Sequence, residues 1–428
     1  MATFTYNLTI GIDVSAEFSY VAIVEPNGDI YRKSFKIDHN LKGFNYLVEE
    51  IKKAEKELLS KPAIFMESTG VYHIALFHYL KKFFNDVFII NPLITNSNKN
   101  NSIRKVKNDK KDALSIAHIG KFQNIKYSTN IDLDYYLLKS LVREYYKLRD
   151  DCSQYKKRLL SDLRVIFPNY NKVFRDTCSK TSLALLNKYP SPSLIMDTPK
   201  DKIIELLQSN ARRSIEWCEK IYLKLISIAQ EAIAIGVDLK ELSIKIKANI
   251  SIINAFTSEI DSLMKNINDL LNSTNLTSDI KQNVSLLTTI PGIGELTAIT
   301  LVAEIGNFSR FKNSKSLVAY LGIDPSINES GNFKGSNNSM SKRGSNIGRR
   351  AIYAAALSSI GIKRNGEANN EIILEYYKNK LKAKRPKVAL GAIMHKIVRY
   401  IFSVIKNQKP YEKRHPKIHC RMFLTHIA

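Results

Sequence analysis

The sequence predicts an α/β plus α protein: an N-terminal mixed β-sheet with flanking helices, a long helical middle and a mainly helical C-terminal part. Three observations predict it. Short β-rich runs alternate with helical periodicity over the first ~125 residues. Between Lys121 and Pro291 the only glycine is Gly236, and apolar residues recur at three- and four-residue spacing. After Pro291 the turn residues return and the charge becomes strongly basic.

LTIGIDVS, FSYVAIVEP and DIYRKSFKI read as a three-stranded meander. LKGFNYLVEEIKKAEKELL follows as a helix, PAIFMEST as a buried strand, GVYHIALFHYLKKF as a helix and DVFIINP as a strand, with a further helix after KNDKKDA. The order βββ-α-β-α-β-α implies a mixed sheet covered on both faces. In the middle, Leu138, Leu141, Tyr145, Leu148, Cys152, Tyr155 and Leu159 form one heptad-like stripe, and Phe256, Ile260, Leu263, Ile267 and Leu270 another. These fit helical packing within the chain or a dimerising coiled coil equally. LLTTIPGIGELTAITLVAEIG reads as helix, tight turn, helix, and GRRAIYAAALSSIGI and PKVALGAIMHKIVRYIFSVIKN as further helices. The expected divisions are residues 1–128, 129–285 and 286–428.

The 428 residues carry 65 Lys+Arg against 40 Asp+Glu, a net charge of +25. Most of the excess lies from Gly331 onward, where 21 Lys/Arg face four Asp/Glu. A one-signed field of this size points to a polyanion, and nucleic acid is favoured over a membrane surface. Cys152, Cys178, Cys218 and Cys420 show no CxxC pairing and read as free thiols. The HxxxHC run of His415, His419 and Cys420 lacks a fourth zinc ligand and reads as a basic tail. MATFTYNLTIGID lacks the features of a signal peptide, and no uninterrupted apolar run approaches the ~18 residues of a membrane span. A cytoplasmic, nucleoid-associated protein is therefore expected.

Four carboxylates stand out. Asp13 ends the apolar strand IGIDVS and Glu67 the buried strand IFMESTG. Asp109 and Asp112, three apart, share one face of a helix. Singly, such residues are often turn formers or solvated helix positions. Together at one sheet end they would repel without cations, and they suit Mg²⁺, a hard ion that takes oxygen ligands. Two such ions roughly 3.5–4 Å apart activate an attacking oxygen and stabilise a leaving one in phosphoryl transfer.

The stretch ESGNFKGSNNSMSKRGSNIGRR, residues 329–350, looks like a linker but lies between apolar helices. Lys334, Lys342, Arg343, Arg349 and Arg350 surround its serines, and its glycines let backbone N–H groups approach an anion. These residues describe a phosphate-binding environment. They do not choose between Ser330 and Ser341 as a nucleophile.

In this order, "GIDVS", "ESTGVYH", "NDKKDA", "PGIGELTAITLVAEIGNFSRF", "LVAYLGIDPS", "ESG", "SKRG" and "GRRAIYAAA" resemble the transposases of the insertion sequence 110 family. The resemblance implies a RuvC-like ribonuclease-H-fold domain at 1–128, a helical coiled-coil linker at 129–285 and a transposase domain with a catalytic serine at 286–428. It implies that Asp13, Glu67, Asp109 and Asp112 bind Mg²⁺, in a two-metal arrangement with Mn²⁺ as an alternative. The family's nucleophile falls on Ser330, giving a covalent phosphoserine and a free 3′-hydroxyl. Implied partners are donor and target DNA, an element-encoded guide (bridge) RNA and further copies of the chain, as a dimer assembling to a tetramer, without a membrane. The competing expectation is a RuvC-like metal-dependent nuclease of the junction-resolvase type, which needs no serine. The helical stretch 169–249 has no counterpart in the family pattern.

Overall fold

The structure, a computed structural model, describes residues 7–68, 71–90, 109–123, 127–128, 132–236, 240–273, 276–326, 329–330, 333–334, 339–414 and 418. The zinc reading at 415–420 lies outside them. The chain forms two compact units, Met1–Asp132 and Leu133–Ala428.

The first unit is built on a mixed sheet of order β3-β2-β1-β4-β5-β6. Its strands are β1 (Leu8–Val14), β2 (Phe18–Val24), β3 (Ile30–Asp38), β4 (Pro62–Glu67), β5 (Val87–Ile90) and β6 (Tyr127–Ser128). The meander β1-β2-β3 is antiparallel, while β1, β4 and β5 run parallel. Alternation decides which side chains face which layer. Ile10, Ile12, Ile64 and Met66 pack with Leu47, Val48 and Ile51 of α1 (Leu41–Leu58) and with Leu76, Phe77 and Leu80 of α2 (His73–Lys81). On the opposite face Ala63, Phe65, Phe88 and Ile90 meet Ile116 and Ile119 of α3 (Asp109–Phe122). Helices therefore cover both faces, as the element order predicts.

The strand Gly11 brings α3 unusually close. A Cβ built on Gly11 would lie 2.2 Å from the carbonyl oxygen of Ala113 and 2.3 Å from the nitrogen of Ala117. At the other end, Lys121 Nζ donates to the carbonyl of Asn7 just before β1 (3.0 Å). α3 thus runs opposite to β1, and its N-terminal turn reaches the end of the sheet where β1 and β4 finish.

The second unit begins with α4 (Leu133–Ile166) and continues through α5 (Lys180–Lys188), α6 (Pro192–Met196), α7 (Lys200–Ala211) and α8 (Ile215–Ala234) to α9 (Ser243–Asn272). α4 and α9 lie antiparallel. The Tyr155 and Phe256 rings are 5.7 Å apart, Asn249 donates to Asp162, and the N–H of Thr277 donates to Asp134. Leu138, Val142, Cys152 and Leu159 are buried with Ile246, Ile253, Ile260 and Ile267. Leu141, Leu148, Tyr155, Phe256, Leu263 and Leu270 are only half-buried.

The block beyond follows as α10 (Ser278–Thr288), α11 (Glu295–Ile305), α12 (Ser314–Leu321), the short strands β7 (Glu329–Ser330) and β8 (Phe333–Lys334), α13 (Asn346–Ser359), α14 (Glu371–Lys380) and α15 (Pro386–Asn407). One continuous core runs from Leu138 to Ile405, so these helices and the α4–α9 hairpin fold as one body. α15 has 22 residues and holds an 18-residue stretch of mean hydropathy 1.6, and Lys396 and Arg399 interrupt its apolar run. Its apolar face, including Ile393, Ile397 and Ile401, is buried in this core.

A buried ion pair ties the two parts of this unit. Glu304 at the end of α11 is 1% exposed and receives Arg143 Nε (2.7 Å) and Nη2 (3.0 Å) from α4, with Lys139 Nζ at 3.6 Å. Burial pushes the Glu304 carboxyl up, but hydrogen bonds from Arg143 and the charges of Lys139 and Arg143 outweigh it, leaving it below the usual carboxylate range. A carboxylate depressed in the folded state adds stability above its ordinary pKa and loses it as pH falls through the folded value. Glu304→Gln should cost roughly 2–3 kcal/mol near neutrality, below the fully buried range because Arg143 is half-exposed. Denaturant unfolding across pH should show the gap between wild type and variant closing on acidification below the ordinary glutamate range; a gap constant with pH would contradict this.

Candidate functional site

Two constellations stand out, one in each unit. In the first unit, β1 and β4 are parallel with Ile12 beside Met66, so the next residues, Asp13 and Glu67, are neighbours at the end of the register. Asp13 lies two residues beyond Gly11 and Glu67 two beyond Phe65, so both belong to the face that α3 covers. α3 starts at Asp109, with Asp112 one turn on and half-exposed, at this same end of the sheet. The side chain of Asp109 lies outside the described residues. Glu67 is 8% exposed, and among the described residues its Oε2 is buried without a hydrogen-bond partner.

Asp13 and Glu67 thus share a sheet end and a face, and α3 begins at that same end with Asp112 in its first turn. They are not drawn into a closed set: among the described residues no three acid, histidine or cysteine side chains stand close enough to hold an ion together. A buried carboxylate oxygen without a donor is costly unless a proton or a cation meets it. Donor chemistry and placement therefore fit a hard divalent cation.

In the second unit the linker-like stretch folds back on itself. Asp324 and Ser341 are joined twice: the Ser341 N–H donates to the Asp324 carbonyl (2.8 Å), and Ser341 Oγ donates to Asp324 Oδ1 (2.6 Å). Pro325 bridges Met340, and the Ser326 N–H donates to the Ser339 carbonyl (2.7 Å). Further out, β7 and β8 pair antiparallel with Ser330 opposite Phe333. Ser330 therefore stands at the turn end of a short hairpin, with only residues 331 and 332 between the strands. The side chains of Ser330 and Lys334 lie outside the described residues. Behind the stem, His395 Nε2 of α15 donates to the Ile323 carbonyl (2.9 Å).

The return leg packs tightly on the end of α12. A Cβ on Gly344 would lie 2.0 Å from the Tyr320 carbonyl oxygen, a contact only glycine permits. Lys342 adopts a left-handed backbone (φ 55°), and its N–H donates to the Gly322 carbonyl (3.0 Å). The predicted basic residues then part company. Lys342 and Arg343 are exposed. Arg349 Nη1 donates to the carbonyls of Gly344 (2.7 Å) and Leu321 (3.3 Å). Arg350 forks onto Asp150 (2.8 and 3.0 Å) and lies over the Tyr146 ring. Arg349 and Arg350 thus brace the hairpin's base from within the unit. Asp324 and His395 were not singled out from sequence, because their partners lie 17 and 72 residues away.

An acidic sheet end in one unit and an exposed basic pair, Lys342 and Arg343, in the other are features of a DNA-acting protein of the transposase class. Comparison with known proteins agrees. Residues 10–168 match a family model described as "Transposase", of the DEDD type of IS110 elements, and residues 284–371 match one described as "Transposase IS116/IS110/IS902 family". The chain belongs to the IS110 family of transposases. It is similar to the pilin gene-inverting protein of Moraxella bovis, 31% identical over 33% of this chain and 42% of that protein. The insertion element IS110 43.6 kDa protein of Streptomyces coelicolor is 21% identical over 73% of this chain and 74% of its own length. The transposase for insertion sequence element IS1111A of Coxiella burnetii is 23% identical over 55% of this chain and 58% of its own length. The match to the pilin gene-inverting protein therefore spans less than half of that relative.

The doubled Asp324–Ser341 contact makes a prediction. Asp324→Ala removes a charge-assisted hydrogen bond at a half-buried site, about 1.4 kcal/mol of local opening. Limited proteolysis between residues 326 and 339 should speed up roughly tenfold, since cleavage follows the open population. Asp324→Asn keeps an acceptor and should stay near wild type; equal rates for all three proteins would refute the clamp.

Proposed function

We propose that the protein is a DNA recombinase of a bacterial insertion sequence, which cuts and rejoins DNA through a covalent phosphoserine on Ser330. The observation that carries this reading is the buried Glu67 Oε2 beside Asp13, without a hydrogen-bond partner among the described residues, at the sheet end where α3 begins. The strand order β3-β2-β1-β4-β5 supports a RuvC-like ribonuclease-H fold for 1–128. On this reading 129–285 is the helical coiled-coil linker and 286–428 the transposase domain.

Asp13, Glu67, Asp109 and Asp112 would hold Mg²⁺, or Mn²⁺ in its place. A bound divalent cation of this kind supplies positive charge to the phosphate oxygens and lowers the pKa of a coordinated hydroxyl. Ser330 Oγ attacks the DNA phosphorus as its proton departs. The Oγ–P bond forms, the P–O3′ bond breaks, and the 3′-oxygen leaves as a hydroxyl on gaining a proton. Lys342 and Arg343 would offset charge on the phosphoryl oxygens. Attack of a 3′-hydroxyl from another strand on the phosphoserine reverses the chemistry and rejoins the DNA.

A second copy of the chain supplying part of the site is included in the proposal, as the resemblance to the family implies. The half-buried residues of α4 and α9 offer a surface for a dimer, and two dimers for a tetramer. The net charge of +25 suits donor DNA, target DNA and an element-encoded guide RNA, with base pairing to the RNA choosing the sequence. The setting is the cytoplasm, on the nucleoid.

Incubation with element-end DNA, the guide RNA and Mg²⁺ should yield a protein–DNA adduct that survives denaturation. Ser330→Ala should abolish it, and Asp13→Ala should lower it at least 100-fold, roughly 2.7 kcal/mol of barrier. Metal-dependent cutting without an adduct, indifferent to Ser330→Ala, would instead describe a junction-resolvase-type nuclease.

A further inference from the structure

The second unit carries a concentrated cation site that neither the hairpin nor the carboxylates account for. Between α14 and α15 the chain turns through KNKLKAKRPK, residues 378–387. Lys378, Lys380, Lys382, Lys384, Arg385 and Lys387 are all exposed. The elbow is well held. Leu381 is 5% exposed, the Lys384 N–H donates to the Leu381 carbonyl (2.9 Å), and the Arg385 carbonyl accepts from Val388 and Ala389 (2.9 and 3.0 Å). Six like charges on a fixed turn repel one another, and the fold does nothing to relieve them. Among the described residues none of the six forms an ion pair or side-chain hydrogen bond, and no acid lies between Lys378 and Lys387. The nearest acid in sequence is Glu375, three residues before Lys378, and the next, Glu371, pairs with Lys413. The contrast with Arg143, Arg349 and Arg350 is direct, because those cations are committed to internal partners.

From this we infer that the 378–387 elbow is a binding site for the phosphate backbone of duplex DNA, flanking the phosphate that reacts. Flexible lysines around a fixed turn neutralise phosphates without reading bases. The place of the elbow selects the DNA duplex over other polyanions. His395, nine residues after Pro386 on the same helix, holds the carbonyl of Ile323 at the foot of the serine hairpin. At ~1.5 Å per residue the elbow stands about 13 Å along α15 from that foot, or about four base pairs of duplex at 3.4 Å each. A backbone engaged at the hairpin is within reach of the elbow in the same rigid body. The inference rests on the hairpin engaging DNA, and its test is therefore a binding measurement that needs no chemistry.

The full-length Ser330→Ala protein is titrated with a fluorescent random-sequence duplex DNA, and separately with a single-stranded RNA, over a range of KCl concentrations. Lys382→Gln/Lys384→Gln/Arg385→Gln in this background should reduce the slope of log K against log salt for the duplex by about 2–3, at ~0.9 per lost phosphate contact. Affinity at ~0.1 M salt should fall roughly 10- to 100-fold. The single change Lys384→Gln, at a fully solvent-facing site, should lower the slope by about one. Substituting Arg at Lys382 and Lys384 should preserve it. A duplex slope unchanged in both the triple and the single variant overturns the site, and so does a loss confined to the RNA. Failure of the serine chemistry alone would leave these slopes as they are and remove only the covalent adduct.

Discussion

The close contact between α3 and β1 at Gly11 is the constraint on which the acidic end of the first unit depends. Helix backbone lies where any side chain would stand, since a Cβ on Gly11 would meet the Ala113 carbonyl at 2.2 Å. That approach fixes the height and direction of α3 over the sheet, and Lys121 pins its far end to the carbonyl of Asn7. Asp109 and Asp112 consequently begin their helix where Asp13 and Glu67 end their strands. A side chain at position 11 would lift the helix and separate the two pairs. Among the described residues nothing hydrogen-bonds the buried Glu67 Oε2, and the expense of burying such an oxygen is the physical reason to propose a cation there.

In the second unit a single buried carboxylate has a comparable role. Glu304 receives both Arg143 and Lys139 from the long helix α4, a hydrogen bond with Ser345 at the cap of α13, and its own carbonyl accepts from Tyr320. These contacts hold the α4–α9 hairpin, α12 and the base of the serine hairpin as one body. Asp324 and Ser341 then close the hairpin's stem, so a stretch rich in glycine, serine and asparagine has a fixed root.

Much of the fold was legible because it rests on local periodicity. The meander, both buried strands, the long helices and the turn at PGIG each show in alternation, heptad spacing or turn residues. The unreadable parts share a cause, namely partners far apart in sequence. Residues 329–350 look like a linker because the two-residue strands β7 and β8 are too short for alternation to reveal. Arg350 looks free for phosphate until Asp150, two hundred residues earlier, meets it. Glu304 sits in an apolar run, and nothing local announces that Arg143 will neutralise it. The four carboxylates were legible as strand-end and helix-face residues, whereas the common face of Asp13 and Glu67 and the start of α3 at their sheet end emerged only from the β1–β4 register and the Gly11 contact.

On the proposed function, the carboxylates of one copy of the chain act with Ser330 of another. The most direct measurement mixes differently tagged, co-expressed Glu67→Gln and Ser330→Ala proteins with DNA, guide RNA and Mg²⁺. Each variant alone should form no adduct, whereas the mixture should recover it, and only on the Glu67→Gln chain, which still carries Ser330. A mixture that assembles on DNA yet forms no adduct, while the wild type does, would contradict the shared site.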